Sequence, residues 1–306
     1  MTQRSDYLVE TDWLSEHLSD DHLRIVDIRG SVPPVPKPGA SAPPSGSLGY
    51  VAGAIDYQKD HIPGAVYLDW TLDIVDVENP IEVQLAQAGP FAAAMERAGI
   101  GSEDLVVIYD TNPASTFATR LWWALRVYGH TRAVILNGGL AKWKREGYPT
   151  NDEPPSQRAV EFVVRRNPEL IADVGKVVAA MSDQNATLLD ARDPLEFSGA
   201  SVRGDKRRGH IPGAINLPRD TLVDLETGTF RSTSELESLF SEAALSREST
   251  IVTYCNGGVA ASTVFFALAV AGYPHVTNYD GSWNEWGGRA DLPVVVEDDA
   301  DPDYPA

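Results

Sequence analysis

Apolar residues in this chain fall into short unbroken runs separated by stretches of helical period, and that rhythm sets the architecture. Residues 24–28 (Arg-Ile-Val-Asp-Ile), 105–109 (Leu-Val-Val-Ile-Tyr) and 133–136 (Ala-Val-Ile-Leu) read as strands covered on both faces, because a half-solvated strand would alternate. Between them, Thr11-Asp12-Trp13-Leu14 opens a capped helix, residues 91–98 form a helix stopped by Gly99, and residues 114–128 form another. Asn137-Gly138-Gly139 leads into a helix through Trp143. Strand and helix alternate, which predicts an α/β fold with a short, mostly parallel sheet flanked by helices on both faces. Residues 31–49 break the pattern. Their crowding of Pro, Gly and Ser reads as a long surface insertion, either a tolerated loop or a polyproline segment for a partner.

The same order of elements then begins again. Asp27-Ile28-Arg29 is echoed by Asp190-Ala191-Arg192, and His61-Ile62-Pro63-Gly64-Ala65 by His210-Ile211-Pro212-Gly213-Ala214. The strand ending at Tyr109 is echoed by the one ending at Tyr254, and Asn137-Gly138-Gly139 by Tyr279-Asp280-Gly281. The spacing between matching anchors shortens steadily, so the copies differ by loop insertions. Four anchors in one order imply a tandem duplication. The expected units are residues 1–149 and 169–306, joined by a linker over 150–168 that contains Asn-Asp-Glu-Pro-Pro-Ser.

In the second copy, residues 251–254 form a buried strand that ends at Cys255, crosses Asn256-Gly257-Gly258, and enters an almost wholly apolar helix over residues 259–271. A thiol at a strand's C-terminal end, facing backbone N–H groups and the positive end of the next helix, is where a thiolate is most easily stabilised. The alternative is a small buried hydrophobe. The duplication discriminates: the first copy has Asp110 in that place, and a carboxylate cannot do a thiol's nucleophilic work. The loop after Asp110 carries Pro113, which removes an N–H from any anion cradle, whereas the loop after Cys255 keeps every N–H. One working and one silent copy accounts for both differences.

Composition narrows the chemistry. A formal charge of −19 and a pI near 4.6 argue against a nucleic-acid or anionic-membrane binder, so any anionic substrate needs a local basic pocket. Arg203-Gly-Asp-Lys206-Arg207-Arg208 is the densest positive stretch, read either as an access route for anions or as a solvated loop. With Cys255 the only cysteine and six scattered histidines, neither a disulfide nor a cysteine-built metal site is available. The N-terminus lacks the apolar core of a signal peptide and the longest apolar run is too short to cross a bilayer, so a cytoplasmic location is expected.

These motifs resemble the two-domain rhodanese family, the thiosulfate and 3-mercaptopyruvate sulfurtransferases. The resemblance rests on Asp190-Ala-Arg192, the Gly209-to-Asn216 turn, the strand ending in Cys255, Tyr279-Asp-Gly-Ser-Trp-Asn-Glu-Trp286, and Leu136-Asn-Gly-Gly139 closing the first half. It implies tandem rhodanese-like domains, the first catalytically inactive, and a cycle without cofactor or metal. In that cycle Cys255 takes a sulfane sulfur from a small anionic donor, holds it as a persulfide, and yields it to a thiol or cyanide acceptor. It implies that Arg192 binds the donor's anionic end, and that the N–H groups of Asn256, Gly257, Gly258, Val259 and Ala260 stabilise thiolate and persulfide. Asp190 and His210 are expected to fix loops.

The departures concern the donor. Thiosulfate members resemble Cys-Arg-Lys-Gly-Val-Thr and mercaptopyruvate members Cys-Gly-Ser-Gly-Val-Thr, whereas this chain has Gly257 two residues after the cysteine. The acidic Glu196 after Asp-x-Arg argues against a second carboxylate, which leaves a slight lean toward thiosulfate. A phosphatase of the same fold would need an arginine at position 261, where Ala261 stands. The remaining rivals are a non-enzymatic binding or sulfur-carrier module and a redox sensor. Neither acceptor nor oligomeric state is legible.

Overall fold

The computed structural model describes residues 3–32, 34, 49–156, 158–203 and 206–297. Two five-stranded sheets of identical topology form its skeleton. In the first, strands run in the order Leu8–Val9, Ala133–Leu136, Leu105–Tyr109, Leu23–Asp27, Val66–Tyr67, all parallel. In the second the order is Ile171–Ala172, Val276–Tyr279, Thr250–Tyr254, Ala186–Asp190, Ile215–Asn216, again all parallel. The unbroken apolar runs are the inner strands, buried on both faces as parallel strands must be. Among the described residues, no helix is long and apolar enough to cross a membrane.

The duplication extends to single hydrogen bonds. Asp27 and Arg29 form a side-chain pair that Asp190 and Arg192 repeat. The Tyr109 hydroxyl accepts from Ile62 N at 3.1 Å, and that of Tyr254 from Ile211 N at 3.2 Å. His61 stacks on Tyr57 and His210 on Phe197, each with Nδ1 at a carbonyl of the same partner, so both histidines hold loops.

The register of the last anchor differs by one residue from the sequence alignment. Val9 pairs with Leu136 and Ala172 with Tyr279, so Tyr279 matches Leu136 and Asp280 matches Asn137. The left-handed residue that follows is Gly139 (φ 53) in one copy and Ser282 (φ 49) in the other. Conserving Gly in the alignment hid this, because the second copy places a serine where backbone geometry favours glycine. The helix at Thr11 also differs from expectation: it runs Thr11–His17 after Glu10, without a side-chain cap.

The nearly all-apolar helix is Val259–Val270, and its composition follows from its position. One side covers the second sheet and the other packs on its counterpart Thr116–Val127, with Trp122 edge-on to Phe266 at 4.9 Å and Thr119 Oγ1 3.1 Å from Thr263 Oγ1. A helix buried all round has no polar face. Of the insertion over 31–49, only Ser31, Val32, Pro34 and Gly49 lie within the described residues. Its base is a two-stranded clip, Gly30–Ser31 against Val51–Ala52. The segment with linker composition lies against the first unit: Asn151 pairs with His61, Phe162 is buried against Phe91, and Asn167 N donates to Val127 O.

Candidate active site

Cys255 follows Tyr254 at the C-terminal edge of the central strand of the second sheet and is buried. Three residues carry the chain from it to the helix that starts at Val259, and the turn is made by Gly258 at φ 72. The loop's carbonyls are held from behind. Cys255 O accepts from Trp283 N (2.9 Å) and Asn256 O from Asn284 N (2.7 Å). Gly258 O accepts from Asn278 Nδ2 (2.9 Å), Ser262 Oγ (2.8 Å) and Arg120 Nη1 (3.4 Å). In a trans peptide the N–H points opposite to the C=O. The N–H groups of Asn256, Gly257 and Val259 are therefore turned to the other face, the side of the pocket. Cys255 N is itself tied to Ser282 Oγ at 3.2 Å, so strained Ser282 braces the residue that matters.

A cavity of about 50 Å³ lies against the thiol, lined by Cys255, Asn256, Gly257, Val259 and Ala260 from the loop, with Arg192, Glu196, Arg203 and Arg219 around them. Val32, Tyr50 and Thr116 complete it from the first unit. A larger cavity of about 210 Å³ shares Val32, Glu196, Arg203 and Arg219 with it and reaches Asn112 of the first unit. The predicted site residues are thus brought together, Gly258 holding the turn.

Arg192 lines this pocket, but three of its hydrogen bonds go to the Asp190 carboxylate and one to Gly209 O (2.9 Å), and its guanidinium sits 4.4 Å from the Trp283 ring centroid. Arg29 in the first copy makes the same carboxylate pair, so the pairing is a device of the fold present in both copies. Glu196, read from sequence as a bare negative charge, is buried and accepts from Arg203 Nε (3.1 Å) and Asn256 Nδ2 (2.9 Å). It neutralises one arginine and orients the loop residue next to the thiol. The basic stretch divides: Arg203 joins the pocket, while Arg207 donates to Leu292 O, Trp286 O and Arg289 O, tying down the C-terminal end of the last helix. Gly204 and Asp205 lie outside the described residues.

Tyr50, Arg219, Val83 and Arg120 escaped the sequence reading, since nothing local marks a residue that reaches the site across the fold. Burial lifts the Tyr50 phenol well above its usual value, with the nearby Cys255 and Glu82 adding and a hydrogen bond to Asn284 opposing, so the hydroxyl stays protonated. The matching place in the first unit is closed from within. Asp110 accepts from Asn112 N (2.9 Å), Phe117 N (2.8 Å) and Ala118 N (3.0 Å), filling with its own carboxylate the cradle at the start of that helix. Burial pushes it up to about 7 against those three donors. Among the described residues, no group of three or more His, Cys, Asp or Glu is placed to hold a metal ion.

The family profile described as Rhodanese-like domain matches residues 10–146 and 173–289. A 3-mercaptopyruvate sulfurtransferase of Escherichia coli is 35% identical over 290 residues, covering 94% of this chain and 97% of that protein. A putative thiosulfate sulfurtransferase of Mycobacterium tuberculosis is 35% identical over 249 residues, covering 78% and 87%. The crystal structure of the E. coli 3-mercaptopyruvate sulfotransferase SseA superposes with a TM-score of 0.76 at 33% identity, covering 92% of this chain and 99% of that one. Two family matches on two sheets of one topology, with relatives similar over nearly the whole length, place the chain in the rhodanese family as a two-domain sulfurtransferase.

Proposed function

We propose that Cys255 is the sulfur-carrying nucleophile, that the first domain is catalytically silent, and that the donor is a small anionic sulfur compound, 3-mercaptopyruvate in preference to thiosulfate. The Cys255 thiolate attacks the donor's outer sulfur. A Cys Sγ–S bond forms while the donor's C–S bond breaks, and pyruvate leaves with the electron pair as its enolate and takes a proton; from thiosulfate the S–S bond breaks and sulfite leaves. An acceptor thiolate or cyanide then attacks the outer sulfur of the persulfide and Cys255 departs as thiolate. The inward N–H groups of the loop and the dipole of helix Val259–Val270 stabilise the charged sulfur in both states.

The observation that carries the reading is the Glu196–Arg203 ion pair. The carboxylate that argued against a carboxylate donor is bound to a guanidinium, so it does not face the donor as an uncompensated charge; the pocket's other arginines, Arg192 and Arg219, are paired with Asp190 and Asp220. Gly257 supports the preference, since no side chain there offers charge beside the transferred sulfur. The names of the E. coli and M. tuberculosis relatives point to different donors, so kinetics must decide. Incubation with either donor should add about 32 Da to the protein, the mass of one persulfide sulfur. Cys255→Ser should abolish both the adduct and the turnover, and 3-mercaptopyruvate should give the higher kcat/KM. No adduct with either donor would reject the enzymatic reading.

A further inference from the structure

Position 257 is closed by the other domain. A Cβ built on Gly257 would meet Val83 Cγ2 at 2.2 Å and Asn284 Nδ2 at 3.0 Å, whereas real Cβ contacts stay beyond about 3 Å. Val83 belongs to the first domain and is buried. It sits at φ 57, a left-handed conformation that a β-branched residue rarely adopts. The surroundings enforce it: Val83 O accepts from Arg120 Nη2 at 2.9 Å, Glu82 O from Asn284 Nδ2 at 3.4 Å, and the next two residues bond to Asp280, Gln84 Nε2 to its carbonyl (2.9 Å) and Leu85 N to its carboxylate (2.8 Å). Valine has only χ1 with which to move aside. Val83 is a wall and not a flexible neighbour.

We propose that Val83 is the donor-specificity determinant of the Cys255 site. The idea rests on the sulfurtransferase reading and assigns its selectivity to a residue outside the catalytic domain. By filling the volume of a side chain at 257, Val83 keeps charge away from the atom bonded to the transferred sulfur. Recognition of the donor's anion falls instead to Arg203 and Arg219, which line both the small cavity and the larger one beside it. Arg219 lines both cavities, with its Nε 3.3 Å from Asp220 Oδ1, so its guanidinium is held at the rim by an ion pair. A donor whose carboxylate lies two carbons from its sulfur carries its charge away from the reacting atom. In thiosulfate the charge sits on the atom next to the sulfur.

The test compares kcat/KM for 3-mercaptopyruvate and thiosulfate in the full-length wild type, Val83→Ala, Gly257→Lys and the double variant. Gly257→Lys alone should lose about tenfold or more with both donors. Val83→Ala/Gly257→Lys should recover activity, with the donor ratio moved at least tenfold toward thiosulfate. Val83→Ala, which only removes atoms and keeps every backbone bond, should narrow the discrimination about fivefold with an unchanged or raised melting temperature. Arg219→Gln should raise KM for 3-mercaptopyruvate about tenfold with kcat retained. The proposal is overturned if Gly257→Lys alone shifts the ratio as far as the double variant, or if Val83→Ala leaves the ratio unchanged. A wild type that forms no persulfide with either donor would remove the sulfurtransferase reading itself, an outcome separable by mass.

Discussion

Arg120 Nη2 of the first domain lies 2.6 Å from Asp280 Oδ1 of the second, with both side chains buried. The same guanidinium donates to Val83 O and Gly258 O, so a single cation holds the domain interface and the back of the Cys255 loop together. Its charge is fully desolvated and stacks 4.5 Å from the centroid of Trp123. Removing one partner of such a pair leaves the other charge buried and unpaired, which costs about 3–5 kcal/mol. Arg120→Met should therefore lower stability by that order in urea unfolding, and should cut kcat more than it raises KM, because the loop's N–H cradle loses its rear support. Asp280→Asn should cost a similar amount, since it leaves the Arg120 charge uncompensated and sets an amide N–H against one of the two donors, Arg120 Nη2 or Leu85 N. Equal unfolding midpoints for wild type and Arg120→Met would refute the clamp.

Tyr50 reaches the pocket from the far end of the insertion's base, edge-on to Trp70 at 5.2 Å, and its hydroxyl stays protonated beside the thiol. A neutral O–H near a sulfur that, in the proposed cycle, alternates between thiolate and persulfide can donate to either. Tyr50→Phe keeps the ring packing and removes only that donor. The expected result is a fall in kcat of about tenfold, of the size of one charge-assisted hydrogen bond, with the melting temperature unchanged. Single-turnover persulfide formation at wild-type rate in the variant would show that the hydroxyl has no part in the chemistry.

How much of this could be read from the chain depends on the range of each interaction. The inner strands and the Cys255 loop are local patterns, and their limits fell within a residue or two of the run boundaries. The duplication was legible because Asp-x-Arg and His-Ile-Pro-Gly-Ala each close a hydrogen-bonded unit within one copy. Helix Ala54–Lys59 and the edge strands Leu8–Val9 and Ile171–Ala172 were not legible, being too short to carry a period. Glu196 was misread for a different reason: sequence gives a charge but not its partner, and Arg203 lies seven residues further along the chain. Val83, Arg120 and Tyr50 touch the site only because two domains close on each other, a relation that no run of residues encodes.

The pairing of Glu196 suggests a gain of function. Glu196 is buried and lines both cavities beside Cys255, where the proposed donor is an anion. Glu196→Gln preserves the shape and an acceptor for Asn256 Nδ2 while removing one negative charge. At an effective dielectric of about 20, a charge some 6 Å from a bound anion is worth on the order of 2–3 kcal/mol before screening, and screening reduces this further. KM for 3-mercaptopyruvate should fall about tenfold, less at high salt, with kcat nearly constant. A raised KM would mean that Glu196 serves chiefly to position Arg203 and not to moderate the charge.

Asp110 gives the first domain a signature in pH. Burial pushes its carboxyl up to about 7, with the nearby Asp27 adding and its three backbone donors opposing. An unfolded aspartate titrates near 3.9. The folded state therefore holds a proton that the unfolded state has released, and by linkage the stability this group contributes is complete below about pH 4 and is lost as pH rises toward and through 7. The full difference, about three pH units, is on the order of 4 kcal/mol. Asp110→Asn cannot ionise, so its melting temperature should decline less between pH 5 and pH 7.5 than that of the wild type. Sulfur transfer at Cys255 should be unaltered in the variant, since the carboxylate serves only the closed cradle of the first domain. Parallel melting curves for the two proteins across that window would show that Asp110 is already ionised in the folded state, its charge carried by the N–H groups of Asn112, Phe117 and Ala118.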